Sequence, residues 1–120
     1  MSTKGEPFDI GEVGWFADYQ DPANFLNVLL DGRQIKPHDG SNYAYFDEPA
    51  YNRKLRAAAR LSPPERYRVY GALDEDLARN AAPMVAYAVG TSGDFFAARI
   101  GCQVFQPNYS FDLAALCLRR

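Results

Sequence analysis

Histidine, cysteine and tryptophan are scarce in this chain, with one, two and one among 120 residues. Each scarcity closes a class of chemistry. One histidine and two distant cysteines, with no C-x-x-C pair, do not supply the common zinc ligand sets, so no metal is expected. A Ser-His-Asp triad would have to use His38 within His38-Asp39-Gly40-Ser41. Such triads are drawn from separate elements, so a solvated turn is the favoured reading. There is no phosphate-cradling glycine loop, no internal repeat and no low-complexity tract, and no cofactor is expected.

Long apolar runs are missing too. Stretches such as Pro83 to Val89 fall far short of the roughly 20 residues a membrane helix needs. The opening MSTKGEPFDI carries no apolar segment of the secretory kind, which by itself predicts a cytoplasmic protein. Neither sign of charge dominates: 13 basic against 15 acidic residues give a net charge of -2, so nucleic acid is not an expected partner. The stripe Arg53, Arg56, Arg60 reads as an exposed helix face rather than a phosphate-binding one.

What is present is an ordinary folded composition. Apolar residues at 48% and aromatics at 14% exclude a disordered tail, and the length suits one compact unit or a piece of one. Phe8 to Phe16 mixes β-branched and aromatic residues with partial alternation and predicts a strand. Asp21-Pro22 then reads as N-cap and first helical position. Phe25, Leu26, Val28, Leu29 and Leu30 predict a buried helix, ended by Asp31-Gly32 with the glycine free to turn left-handed. Residues 33–46 are rich in turn formers and predict a surface loop.

A second helix is expected from Asp47-Glu48-Pro49, with Tyr51, Leu55, Ala58 and Ala59 facing protein and the arginines facing water. Ser62-Pro63-Pro64-Glu65 has the form of a capping box, and Val69, Tyr70, Leu73 and Leu77 give a third helix a buried stripe ending near Asn80. Pro83 to Gly90 is continuously apolar and predicts a strand covered on both faces. The resulting order, strand, three helices, strand, favours an α/β unit with its two strands as parallel neighbours. After Gly90, Arg99 to Phe105, a turn at Gln106 to Tyr109 and Phe111 to Leu118 predict a hairpin-like or irregular tail.

Two acidic groups, Asp47-Glu48 and Asp74-Glu75-Asp76, have the residue types of acid–base catalysis. The first sits where a helix start favours negative charge and the second on a solvated helix face, and those readings are preferred. Cys102 and Cys117 flank the expected turn. Their spacing leaves a disulfide and a pair of buried thiols equally open. From the residues alone, structural roles are favoured for Trp15 and Asp18, since a lone tryptophan is more often core.

The ordered succession FDIGEVGWFADYQDPANFLNVLL, a loop with Ser41-Asn42, FDEPAYNRKL, PPERYRVYGALDEDLARNAAPMVAYAV and FDLAAL resembles the C-terminal portion of family 5 extracellular solute-binding proteins. These are the dipeptide- and oligopeptide-binding components of ABC importers, and the resemblance covers nearly the whole chain. It implies a fragment, residues 1–120, of a two-lobed, type II periplasmic-binding-protein-like fold, with 91–120 returning toward the other lobe. It implies an extracytoplasmic location, a peptide or other amine-bearing solute, a membrane permease as partner, and no catalysis.

In peptide-binding members the aspartate of the GWxADY motif pairs with the ligand's α-amino group, a position matched by Asp18, and the tryptophan matched by Trp15 lines the cleft. Phe16 departs from the small or polar residues usual there, and with Ala17 it completes the implied ligand-binding set. Outside the cytoplasm a Cys102–Cys117 disulfide would persist, and an isolated fragment would expose apolar surface able to drive self-association. The competing classes are a small self-contained protein-interaction domain and a hydrolase using His38 or an acidic pair.

Overall fold

Proline at the start of a helix gives up an N–H that would be orphaned anyway, and the first helix uses this. In the computed structural model, which describes residues 3, 5 and 7–119, α1 spans Ala23–Leu30 directly after Pro22. Asp21 caps it from one residue further out, its Oδ1 accepting from the Ala23 N–H at 2.8 Å. Asp31, in extended conformation, ends the helix and caps a short 3-10 turn, Gly32–Gln34.

Gly32 does not take the expected left-handed conformation. It is required for close approach: a Cβ there would collide with the Asp47 carboxylate and the Asn52 amide. Its N–H donates to Asn52 Oδ1 at 2.8 Å, while Asn52 Nδ2 donates to Asp47 Oδ1 at 2.7 Å.

The second helix, α2, spans Pro49–Ala58 and buries Asn52, Leu55 and Ala58. Ala59 is exposed, and of the three arginines Arg56 is drawn back, its Nε donating to the Asn52 carbonyl. The third, α3, spans Glu65–Asp76 and continues into a wider π-type turn, Leu77–Ala81. The expected stripe is there, with Tyr70, Leu73 and Leu77 buried. The capping box is not. The helix starts at Glu65 itself, so this residue occupies the first helical position instead of the third, and no side chain caps the end. Ala82, in left-handed conformation, stops the helix, its N–H donating to the Leu77 carbonyl at 2.7 Å.

The three helices share one core of Leu29, Leu30, Leu55, Ala58, Tyr70, Leu73 and Leu77, with Trp15, Phe46 and Tyr51 packed at its margin. Burying a leucine side chain of this kind contributes about 2 kcal/mol. The loop between α1 and α2 is held from inside. Asn42 is buried, its Nδ2 donating to the carbonyls of Asp31 and Phe46 and its Oδ1 accepting from the Phe46 N–H.

Neither expected long strand forms. Residues 8–16 and 83–90 make no ladder, and their apolar side chains stay largely in water, with Ile10 93% and Val89 96% exposed. A strand needs a neighbour to satisfy its N–H and C=O groups. Among the described residues, ladders form only in the tail, so the expected parallel pair is replaced by antiparallel pairing elsewhere.

The chain divides into two compact units, one ending at Ala86 and the other beginning at Tyr87. The second holds the hairpin-like tail. Here β1 (Ile100–Gly101) pairs with β4 (Cys117–Leu118), and β2 (Phe105–Gln106) pairs with β3 (Ser110–Phe111), both antiparallel. Between these ladders three residues on one side face five on the other. The surplus is taken up by the 3-10 turn Leu113–Ala115, which Asp112 caps. Phe111 lies edge-on to Phe96 at 4.8 Å and to Phe105 at 5.6 Å. A disulfide joins Cys102 to Cys117, whose Cα atoms are 5.4 Å apart.

Candidate functional site

The segment before α1 owes its shape to one residue that the sequence reading passed over. Asn24 is fully buried in the first turn of α1. Its Oδ1 accepts from the Trp15 indole Nε1 at 3.1 Å and from the Asp18 backbone N–H at 3.0 Å, and its Nδ2 donates to Asp18 Oδ2 at 3.1 Å. One amide thus fixes an indole, a stretch of main chain and a carboxylate.

Trp15 and Asp18 are thereby tied to the same amide. Trp15 is half-buried against the core, and Asp18 lies at the surface. The residues between them behave differently. Ala17 is half-buried, whereas the Phe16 ring is 90% exposed.

Three residues on, Asp21 meets a different environment. Arg66, from α3, donates through Nε to Oδ2 at 2.8 Å and through its terminal nitrogen to Oδ1 at 2.7 Å. The hydrogen-bonded guanidinium holds the Asp21 carboxyl below its ordinary value despite partial burial, and the aspartate in turn raises Arg66. Arg66 also lies over the Tyr70 ring, whose hydroxyl donates to Asn27 Oδ1 at 2.7 Å; burial raises that phenol. Asn27 continues the chain by donating to the Leu55 carbonyl. Segment 15–21 is therefore wired through α1 to both other helices.

A fully buried carboxylate, Asp31, is structural. Burial pushes it up, but hydrogen bonds from Arg33 and the field of Arg56 outweigh this and hold it below the ordinary range.

The other candidate chemistries are not assembled. Ser41 donates its hydroxyl to the Val28 carbonyl at 2.8 Å, and His38 is exposed on the loop. Asp76 serves Lys54, Tyr51 and Asn80, and Glu75 pairs with Arg79, so two of the three acidic residues are engaged in helix-face contacts. Among the described residues no group of three potential ligands for a metal is found. A groove of about 350 Å³ runs between α2 and α3, lined by Ala57, Ala58, Leu61, Val69 and Leu73, with Lys54 and Asp76 among its lining residues. It includes none of the residues around Asp18.

Asn24 could have been noticed from the sequence. Asparagine competes with the helix backbone for hydrogen bonds, and one within an otherwise apolar helix signals a buried polar task. Asp21 was legible as a cap, but its pairing with Arg66, 45 residues away, was not.

No family profile matches the chain, and neither does any solved structure. It is 26% identical over 81 residues to the periplasmic oligopeptide-binding protein OppA of Salmonella typhimurium and, equally, to that of Escherichia coli. Each match covers 67% of this chain and 14% of the relative, so the chain spans a small part of the length of the curated relatives it matches. These relatives are named as binding proteins, not enzymes, and the observed mixture of helices and small sheets is compatible with a piece of an α/β protein.

Proposed function

We propose that this chain is the C-terminal part of a family 5 extracytoplasmic solute-binding protein of the two-lobed type II fold. In this reading it binds a peptide or another amine-bearing solute and delivers it to an ABC permease, without catalysis. The observation that carries the reading is the Asp18 carboxylate set beside the Trp15 indole by a buried, uncharged amide. A carboxylate oriented this way suits a charge-assisted hydrogen bond to an ammonium group, and the indole offers an apolar wall. Backbone contacts then add affinity without reading peptide sequence. Phe16 and Ala17 complete the contact set, and residues 91–120 form the segment returning toward the other lobe. The similarity to periplasmic oligopeptide-binding proteins supports both cargo and location, and the Cys102–Cys117 disulfide suits an oxidising compartment.

The test compares trialanine with N-acetyl-trialanine by titration calorimetry on the full-length protein. Asp18→Asn is expected to weaken trialanine binding roughly 10- to 100-fold while leaving the acetylated peptide unchanged. Unchanged trialanine affinity overturns the assignment.

A second reading, a self-contained protein-interaction domain, is favoured by the exposed apolar run at Val85, Tyr87 and Val89. Under either reading this surface is expected to drive self-association of the isolated chain.

A further inference from the structure

Resting on the peptide-binding reading, we infer that Asn24 is the positioning residue of the site, setting the Asp18 carboxylate so that the protein prefers ligands with a free amino group. Two N–H donors, from the Trp15 indole and the Asp18 main chain, converge on Asn24 Oδ1. They fix which way the amide faces, because a flipped amide would turn its own N–H groups against both donors. In the orientation so imposed, Nδ2 meets Asp18 Oδ2. The carboxylate oxygen Oδ2 is thus met by an amide with no rotational choice.

The chemistry of this partner matters as much as its geometry. An amide orients a carboxylate without adding a charge of its own, whereas a guanidinium brings a positive charge against it. The chain uses the two devices three residues apart: Arg66 on Asp21, where the task is to join helices, and Asn24 on Asp18. Asn24 is also costly where it sits. Asparagine is a poor helix former, and a fully buried amide is tolerated only with its hydrogen bonds made. A leucine or alanine would suit the helix better, so the position is explained by what the amide holds.

The experiment measures the affinity ratio of trialanine to N-acetyl-trialanine in the full-length wild type, Asn24→Ala, Asp18→Asn and the double variant. Asn24→Ala is expected to reduce the ratio about tenfold, with the acetylated peptide changed less than twofold. Adding it to Asp18→Asn is expected to cause no further loss, since both act through one carboxylate. If Asn24→Ala does not unfold cooperatively, Asn24→Ser carries the same comparison with a smaller void and a hydroxyl in place.

Equal weakening of both peptides overturns the inference, because it marks Asn24 as a general scaffold residue. A ratio left intact by Asn24→Ala but lost with Asp18→Asn overturns it while sparing the functional reading. A ratio left intact by Asp18→Asn removes that reading and this inference with it.

Discussion

The helical unit and the disulfide-closed tail solve the same problem with different means. The helical unit buries Leu55, Tyr70, Leu73 and Leu77 from two helices in one core and ties its loops inward with Asn42, Asn52 and Asp31. In the tail Phe95, Leu113 and Leu118 remain exposed, the ladders are two residues each, and the aromatic cluster is small. Short chain segments cannot bury enough surface to offset their ordering entropy, and a covalent link supplies what the core does not. The polar groups differ in the same way. In the helical unit several are buried and cross-link distant segments, whereas in the tail the Asp112 side chain caps a local turn.

The contrast can be broken from either side. The largest effect is expected from Tyr70→Ala, which removes a buried ring and its bond to Asn27 and should cost about 4 kcal/mol. In denaturant unfolding followed by helical circular dichroism, a loss below about 1 kcal/mol would contradict the core described here.

Next comes Cys102→Ser/Cys117→Ser, expected to remove about 3 kcal/mol from the tail by releasing a loop 15 residues long in sequence. Hydrogen exchange should then rise across 100–118 and stay unchanged in α1 to α3. Equal deprotection of the helices would show that the two units do not differ in this way.

The smallest effect is expected from Asp21→Asn, which keeps a capping oxygen but loses the charge facing Arg66, at about 1–2 kcal/mol. Because Arg66 holds the folded-state value below the ordinary 3.8, the wild-type contribution is complete above pH 3.8 and is lost as pH falls through the lower folded value. The gap in melting temperature between wild type and variant should therefore close on acidification. A gap constant down to the acid limit would remove Asp21–Arg66 from the account.

Much of the helical unit, and the turn of the tail, was legible because these signals are local. The apolar stripe of α3, the start of α2 at Pro49 and the turn at Gln106 to Tyr109 each follow from spacing or from backbone chemistry within a few residues. The two long strands were misread for the opposite reason. Residues 8–16 and 83–90 have the composition of strands, but pairing is decided by a partner edge, and composition does not supply one. The capping box failed on register: the helix starts two residues later than the box requires, at Glu65, which removes the geometry that the four residues otherwise fit. Trp15 and Asp18 were singled out through the family resemblance, their residue types alone favouring structural roles, and the amide that joins them looked like one more helix residue.

The positions of the helices, most of the faces they bury and the turn of the tail follow from the order of residues along the chain. Tertiary structure decided the pairings. It set Asn24 on both Trp15 and Asp18, Arg66 on Asp21, Gly32 against Asp47, and Cys102 on Cys117. Periodicity and capping act over one turn of chain and can be read in order. Burial lowers the dielectric around groups far apart in sequence, and only the packed chain fixes which polar atoms must then find each other.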